Sequence, residues 1–156
     1  MTDVHSKATR SFNMSRIRSR DTTPEKLVRS LVHKMGLRFR LFRADLPGKP
    51  DLYLPRHQTV ILIHGCFWHC HGCKVGGKSQ PKSNTSYWSE KLQRNKDRDR
   101  ENIMALKRLG LRVVVVWECW TRNTVMLENK LRGLLGGILT KVPQVPRAET
   151  GPCPKR

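Results

Sequence analysis

Apolar positions along this chain follow two periods. From Leu27 to Met35 they recur at helical spacing, as Leu27, Val28, Leu31, Val32 and Met35, which predicts one buried stripe of an amphipathic helix. Thr22-Thr-Pro24-Glu25 supplies its start. A threonine can cap, Pro24 suits the first turn, and Glu25 follows Thr22 by three residues. Gly36 marks the stop. Leu37 to Arg43 alternates apolar and basic, the signature of a strand with one wet face. After the turn Leu46-Pro-Gly-Lys-Pro50, Asp51 to Leu54 reads as a short strand and Thr59 to Ile63 as a fully apolar, central one. Ser86 to Leu109 is a long charged helix. Trp88, Leu92, Asn95, Asp99, Ile103 and Leu106 share one of its faces, so Asp99 points inward. Gly110 ends it, Leu111 to Trp117 forms a second apolar strand, and a last helix runs from Arg122 to Leu135. The order α-β-β-β-α-β-α, with strands covered by helices on both faces, predicts a single α/β domain.

Charge adds a partner to this picture. Lys and Arg number 31 against 12 Asp and Glu, a formal charge of +19 on 156 residues. The excess is spread along the chain rather than confined to a tail, so the domain as a whole attracts polyanions, of which nucleic acid is the commonest. Residues 1–21 read as a basic arm that orders on a partner, 22–140 as the folded domain, and 141–156 as a Pro-rich disordered tail. No apolar run approaches the ~20 residues of a membrane span, and the N-terminus lacks the apolar core of a signal peptide. The expectation is a soluble cytoplasmic protein.

His64 to Cys73, HGCFWHCHGC, directly follows the central strand. Short spacings and interleaved histidines argue for a metal site over a disulfide framework. Cys66, His71 and Cys73 in the loop and Cys119 beyond the second apolar strand make a closed set of sulfur and nitrogen ligands, the pattern of structural zinc. An all-cysteine set of Cys66, Cys70, Cys73 and Cys119 has workable spacing too, and the plain alternative is free buried thiols. Phe67 and Trp68 fall between ligands and cannot both turn inward on so small a loop. On a basic protein they suggest stacking on bases or wedging between them, with Trp88 able to join. Core packing is the competing role.

In so basic a chain an acid facing nucleic acid repels it unless a cation intervenes. Asp51, with Glu25 and Asp99 converging from two helices, would make a magnesium site able to polarise a phosphodiester and activate water. His64 and His69 flank the end of the adjacent strand and could take a proton or stabilise the transition state. Taken singly, each acid has an ordinary alternative role: Glu25 in a capping box, Asp51 on a turn amide, Asp99 with an arginine. Their joint occurrence carries the reading.

Asp3-Val-His5, the arm Lys7-Ala-Thr-Arg-Ser, Asn13-Met14, Arg20-Asp-Thr22, the Glu25 helix, Leu46-Pro-Gly-Lys-Pro-Asp51, His64-Gly-Cys-Phe-Trp-His69, His71-x-Cys73 and Val116-Trp-Glu-Cys119 together resemble the very-short-patch repair endonucleases, over residues 3–120. The resemblance implies a restriction-endonuclease-like fold, with a central mixed sheet flanked by helices and a zinc-braced loop. It implies nicking of one DNA strand 5′ of the thymine in a T·G mismatch left by deaminated 5-methylcytosine. By the same resemblance Asp51 and the backbone carbonyl of Ile63 would bind catalytic magnesium (Mg2+). His69 and His64 would serve hydrolysis, and Glu25 and Asp99 would support it through waters or histidine contacts. Cys66, His71, Cys73 and Cys119 would hold structural zinc (Zn2+). Phe67, Trp68 and Trp88 would intercalate from the major groove and Met14 would engage the minor groove, while Lys91 and Asn95 would read the wobble pair. The implied partners are double-stranded DNA with a T·G mismatch, mismatch-repair proteins and a repair polymerase, with a functional link to a cytosine-5 methyltransferase and a monomeric state. Two features depart from the family pattern: a stretch between Cys73 and Trp88 about two residues longer, and Cys70 in place of a histidine. The alternatives from the residues alone are a restriction-type endonuclease of the same fold and a zinc-braced nucleic-acid-binding module without catalysis.

Overall fold

Thr22 caps helix α1 (Thr23–Lys34) from extended geometry, its hydroxyl accepting the Glu25 N–H at 3.5 Å, with Pro24 in the first turn of the helix. These and the following relations come from a computed structural model, which describes residues 9, 12, 20–74, 76 and 84–139. Met14, nearly all of the basic arm, and the tail beyond Leu139 lie outside the described residues. Gly36 (φ +82°) turns the chain out of α1, and the Leu37 N–H reaches back to the Val32 carbonyl at 3.3 Å. The long helix α2 (Thr85–Arg108) ends in the same way. Gly110 has φ +76°, and the Leu111 N–H bonds to the Leu106 carbonyl at 3.1 Å.

Four strands form one sheet in chain order: β1 (Arg40–Leu41), β2 (Leu52–Leu54), β3 (Thr59–His64) and β4 (Arg112–Trp117). The first two pairings are antiparallel and β3 with β4 is parallel, so the sheet is mixed. Parallel neighbours need a crossover, which α2 provides. Helix α3 (Thr124–Leu139) closes the order after a 3-10 turn at Glu118–Arg122.

Strand alternation assigns the two faces. Leu52, Leu54, Ile61, Val114 and Val116 pack with Val28, Leu31 and Val32 of α1 and with Leu127, Leu131, Leu135 and Ile138 of α3. Val60 and Leu62, pointing the other way, pack on Leu106 of α2. The apolar β3 is therefore central and covered on both sides, as its sequence implies. Truncating one fully buried leucine such as Leu131 to alanine should cost ~2–5 kcal/mol.

Two elements differ from the sequence reading. The strand expected over Leu37–Arg43 shrinks to two residues. Leu37 is buried and Phe39 packs on the core, but Leu41 is 40% exposed and Phe42 leaves extended geometry at φ +48°. Alternation there marks a chain laid against the core, most of it without a ladder partner. The last helix starts at Thr124 rather than Arg122, because Glu118–Arg122 is taken by the 3-10 turn and the Asn123 Oδ1 accepts the Met126 N–H at 2.9 Å. It runs on through Gly136 and Gly137 because Ile138 is buried against the sheet. No helix among the described residues is long and apolar enough to cross a membrane.

Candidate active site and metal centre

The parallel register of β3 and β4 builds the first cluster. His64 pairs with Trp117, so Cys66 and Cys119, each two residues further on, emerge side by side. The Cys119 N–H donates to the Cys66 sulfur at 3.3 Å, and the Cys66 N–H donates to the Glu118 carboxylate at 3.1 Å. The loop then turns back, with the His71 N–H on the Cys66 carbonyl at 2.9 Å. Ligand atoms of Cys66, His71, Cys73 and Cys119 all lie within 4.8 Å of one another. His71 Nδ1 stands 3.6 Å from the Cys66 sulfur and 3.5 Å from that of Cys119. A tetrahedral ion with sulfur at ~2.3 Å and nitrogen at ~2.05 Å requires a sulfur-to-nitrogen edge of about 3.6 Å, so the donor set fits such an ion in kind and in size. Cys70 is exposed, left-handed at φ +52°, and turned so that its sulfur lies 4.0 Å from the Leu92 carbonyl. The structure therefore gathers the mixed set and leaves Cys70 apart. Without a cation, burial pushes the Cys66 thiol up to about 12 and raises that of Cys119; a bound cation reverses that preference by favouring thiolates.

The second cluster lines an open cleft of about 610 Å³ whose walls include Glu25, Asp51, Ile63, His64, His69 and Asp99, together with Lys49, Arg98 and Asn102. Asp51 stands just before the first β2 residue paired with β3, and its Oδ2 accepts the Ile63 N–H at 2.6 Å. Burial raises its carboxyl to about 6, with the Ile63 N–H opposing and the Glu25 charge adding to the rise. His64, the last residue of β3, is buried. A tight turn, with the His69 N–H on the Gly65 carbonyl at 3.1 Å, folds the His69 ring flat onto it, 3.9 Å between centroids and 6° between planes. His69 Nδ1 pairs with the Asp99 carboxylate on α2. Burial, and then the nearby His69, lower the His64 imidazole to about 4, against the pull of Asp99, so it is neutral near pH 7.

The three acids expected to share one cation line one cleft but have separate partners. Ligand atoms of His64, His69 and Asp99 fall within 4.8 Å of one another, a group that excludes Asp51 and Glu25. Glu25 is buried and committed to the helix start. It accepts the Thr22 hydroxyl at 2.8 Å, the Asp21 N–H at 2.9 Å and the Arg29 guanidinium at 2.7 Å. Its capping role is thus realised, and it reaches the cleft as one wall.

Phe67, Trp68 and Trp88 form a partly exposed aromatic cluster beside the cleft. Centroids are 4.9 Å apart for Phe67–Trp68, 5.5 Å for Phe67–Trp88 and 6.1 Å for Trp68–Trp88. Tyr87, 48% exposed, joins edge-on to Trp88 at 5.5 Å. The Lys91 ammonium sits over the rings of Trp68, Tyr87 and Trp88 at 5.3–5.6 Å. The Asn95 amide donates to the Trp68 carbonyl at 3.2 Å and so ties the loop to α2. Sequence reasoning passed over Tyr87, although its place beside Trp88 was a signal. It also passed over Trp117, whose ring lies flat on His71 at 4.1 Å and edge-on to His64 at 5.4 Å, joining the two clusters. A tryptophan at a strand end carries no mark of that position.

Comparison with known proteins places this arrangement. Residues 2–75 match the family model for DNA mismatch endonuclease Vsr. The chain is 48% identical over 135 residues to the type II nicking enzyme V.XorIIP of Xanthomonas oryzae pv. oryzae, covering 86% of this chain and 98% of that protein. It is 46% identical over 130 residues to the DNA mismatch endonuclease Vsr of Escherichia coli K12, covering 83% and 82%. It is 42% identical over 135 residues to the type II nicking enzyme V.NmeAIP of Neisseria meningitidis, covering 86% and 95%. On these identities, held over most of both chains, the protein belongs to the DNA mismatch endonuclease Vsr family.

Proposed function

We propose that this mismatch endonuclease nicks one strand of duplex DNA on the 5′ side of the thymine in a T·G pair, by magnesium-dependent hydrolysis of one phosphodiester. One observation carries the reading. Six consecutive residues, His64 to His69, put two stacked imidazoles at the cleft with Asp51 and two aromatic rings on the surface beside it. Sensing and cutting would then be parts of one loop. A wobble pair unstacks at lower cost than a matched pair, so wedging aromatics discriminate by deformation as well as by contact.

Asp51, with the Ile63 carbonyl, would hold the divalent cation at the cleft wall. Magnesium bound there would neutralise phosphate charge and lower the pKa of water. Asp99 fixes His69 through Nδ1, which leaves Nε2 as the nitrogen that can act on the phosphate or on the attacking water. His64, neutral and stacked beneath, keeps the His69 ring plane in place. Glu25 orders the start of α1 behind Asp51. Hydrolysis joins the water oxygen to phosphorus and expels the sugar oxygen of the cut step, with no covalent enzyme intermediate.

Zinc on Cys66, His71, Cys73 and Cys119 would brace the loop, which has little apolar core of its own. Phe67, Trp68 and Trp88 would enter from the major groove and Met14 of the arm from the minor groove, with Lys91 and Asn95 reading the wobble pair. The mixed sheet with helices on both faces fits a restriction-endonuclease-like domain over residues 22–140, flanked by the arm (1–21) and the tail (141–156). The setting would be the bacterial cytoplasm, as a monomer, downstream of a cytosine-5 methyltransferase and upstream of repair proteins and a polymerase.

Duplexes labelled on either strand test this. A magnesium-dependent nick only in the thymine strand, only with T·G, supports it. Equal cutting of T·A duplexes makes the protein a restriction-type endonuclease. Binding with no product on any duplex makes it a binding module.

A further inference from the structure

We infer that Lys49 is a further catalytic residue, a cation that contacts the non-bridging oxygens of the phosphodiester being cut. The inference rests on the proposed nicking activity and adds a group to it.

The backbone is the first observation. Leu46-Pro-Gly-Lys49 closes a turn, with the Lys49 N–H on the Leu46 carbonyl at 3.1 Å and Gly48 at φ +70°, the geometry that calls for glycine at its third position. Lys49 then also lies in the left-handed region, at φ +48°. A residue with a Cβ pays roughly 1–2 kcal/mol there, and Asn or Gly would occupy the position at less cost. Backbone strain of this kind gathers at functional sites.

Position is the second. Lys49 stands two residues before Asp51 and lines the same cleft as Asp51, His64, His69 and Asp99. The turn is seated on α2: a Cβ on Gly48 would stand 3.0 Å from the Asn102 Cβ. Asn102 follows Asp99 by three residues, on the same face of α2. Lys49 is thus fixed relative to both Asp51 and the Asp99–His69 pair.

Partnering is the third. The acids of the cleft are engaged: Glu25 with Arg29, Asp99 with His69, and Asp51 with the Ile63 N–H. Arg98, the other cation of the cleft, donates to the Asn95 amide oxygen at 3.1 Å. Among the described residues the Lys49 ammonium has no hydrogen-bond or ion-pair partner. A spare cation on a strained turn beside carboxylates suits a ligand that brings its own negative charge. Charge grows on the phosphate oxygens as the water attacks, so a cation placed there acts more strongly on the transition state than on bound substrate.

The test uses the full chain with magnesium on a labelled T·G duplex, measuring the single-turnover rate and the duplex affinity separately. Lys49→Asn keeps a residue tolerant of left-handed geometry and removes the charge. Lys49→Gly does so with no backbone strain, and Lys49→Arg keeps a cation. The expected result is a rate lower by about 100-fold in Lys49→Asn and Lys49→Gly, affinity within about threefold of wild type, melting temperatures not lowered in Lys49→Gly, and recovery of most of the rate in Lys49→Arg. An unchanged rate with weaker, less salt-dependent binding would make Lys49 a general backbone contact and overturn the inference, while wild-type nicking left the broader reading intact. No nicking by the wild-type protein overturns both.

Discussion

The imidazoles of His64 and His69 lie face to face, 3.9 Å between centroids, with Asp99 bonded to only one of them. Two rings this close resist carrying two charges, and the buried His64 is the one held neutral, by burial first and then by His69. His64 is pushed towards neutrality and His69 is oriented for work. His69→Ala should therefore lower the single-turnover nicking rate by at least ~100-fold, with duplex affinity changed only a few-fold. Asp99→Asn should fall between that variant and wild type, because the ring remains but loses its orienting charge. Equal rates in all three proteins would remove His69 from the chemistry.

Metal-free stability should carry opposite pH signatures from two groups. Asp51 is raised from 3.8 to about 6, so its contribution is complete below pH 4 and is lost as pH rises through 6. Asp51→Asn should therefore melt higher than wild type at pH 8 and alike at pH 4, by about 3 kcal/mol at most. His64 is lowered from 6.5 to about 4, so its contribution is complete above pH 6.5 and lost as pH falls through 4. Melting curves of the wild type, Asp51→Asn and His64→Gln between pH 4 and 8 check both signs.

One equivalent of zinc should be held by the cysteine and histidine cluster, and a strong chelator should lower the melting temperature. Cys66→Ala should do the same without chelator, since it removes a ligand and the acceptor of the Cys119 N–H. Cys70→Ser should keep the zinc, because its sulfur faces the Leu92 carbonyl instead. A chelated protein that melts at the original temperature would contradict the bracing role.

Trp68→Ala should narrow the ratio of nicking on T·G over T·A duplexes, by the ~1–3 kcal/mol that one stacked base contributes. It should leave the slope of affinity against salt unchanged, since that slope counts phosphate contacts. Tyr87→Ala should have a smaller effect of the same kind, because among the described residues Tyr87 meets the cluster through Trp88 and Lys91. A steep change in salt slope with an unchanged ratio would assign these rings to scaffolding.

Much of this was legible in the sequence for identifiable reasons. The apolar runs Thr59–Ile63 and Leu111–Trp117 have no polar side to offer water, so they had to be covered strands, and two such strands joined by a helix pair in parallel. That pairing alone makes Cys119 a neighbour of Cys66. The capping role of Glu25 was legible, and the family resemblance implied histidine contacts for Asp99; what had no signal is that each acid takes a separate partner. Glu25, Asp51 and Asp99 are equivalent as letters, but Arg29 takes the first, the Ile63 N–H the second and His69 the third. The extended stretch after Leu37 misled because alternation reports burial of one side, whether or not a neighbouring strand is present; the left-handed Phe42 ends the ladder early. The roles of Trp117 and Lys49 depend on ring stacking and on a backbone angle, neither of which has a sequence pattern.

Single-turnover nicking of a T·G duplex by Asp51→Asn, with magnesium present and protein in excess, tests the central claim most directly. The predicted result is no nick above background while the duplex stays bound with near wild-type affinity. Nicking at the wild-type rate would mean that the hydrolysis is centred elsewhere than on the Asp51 cleft.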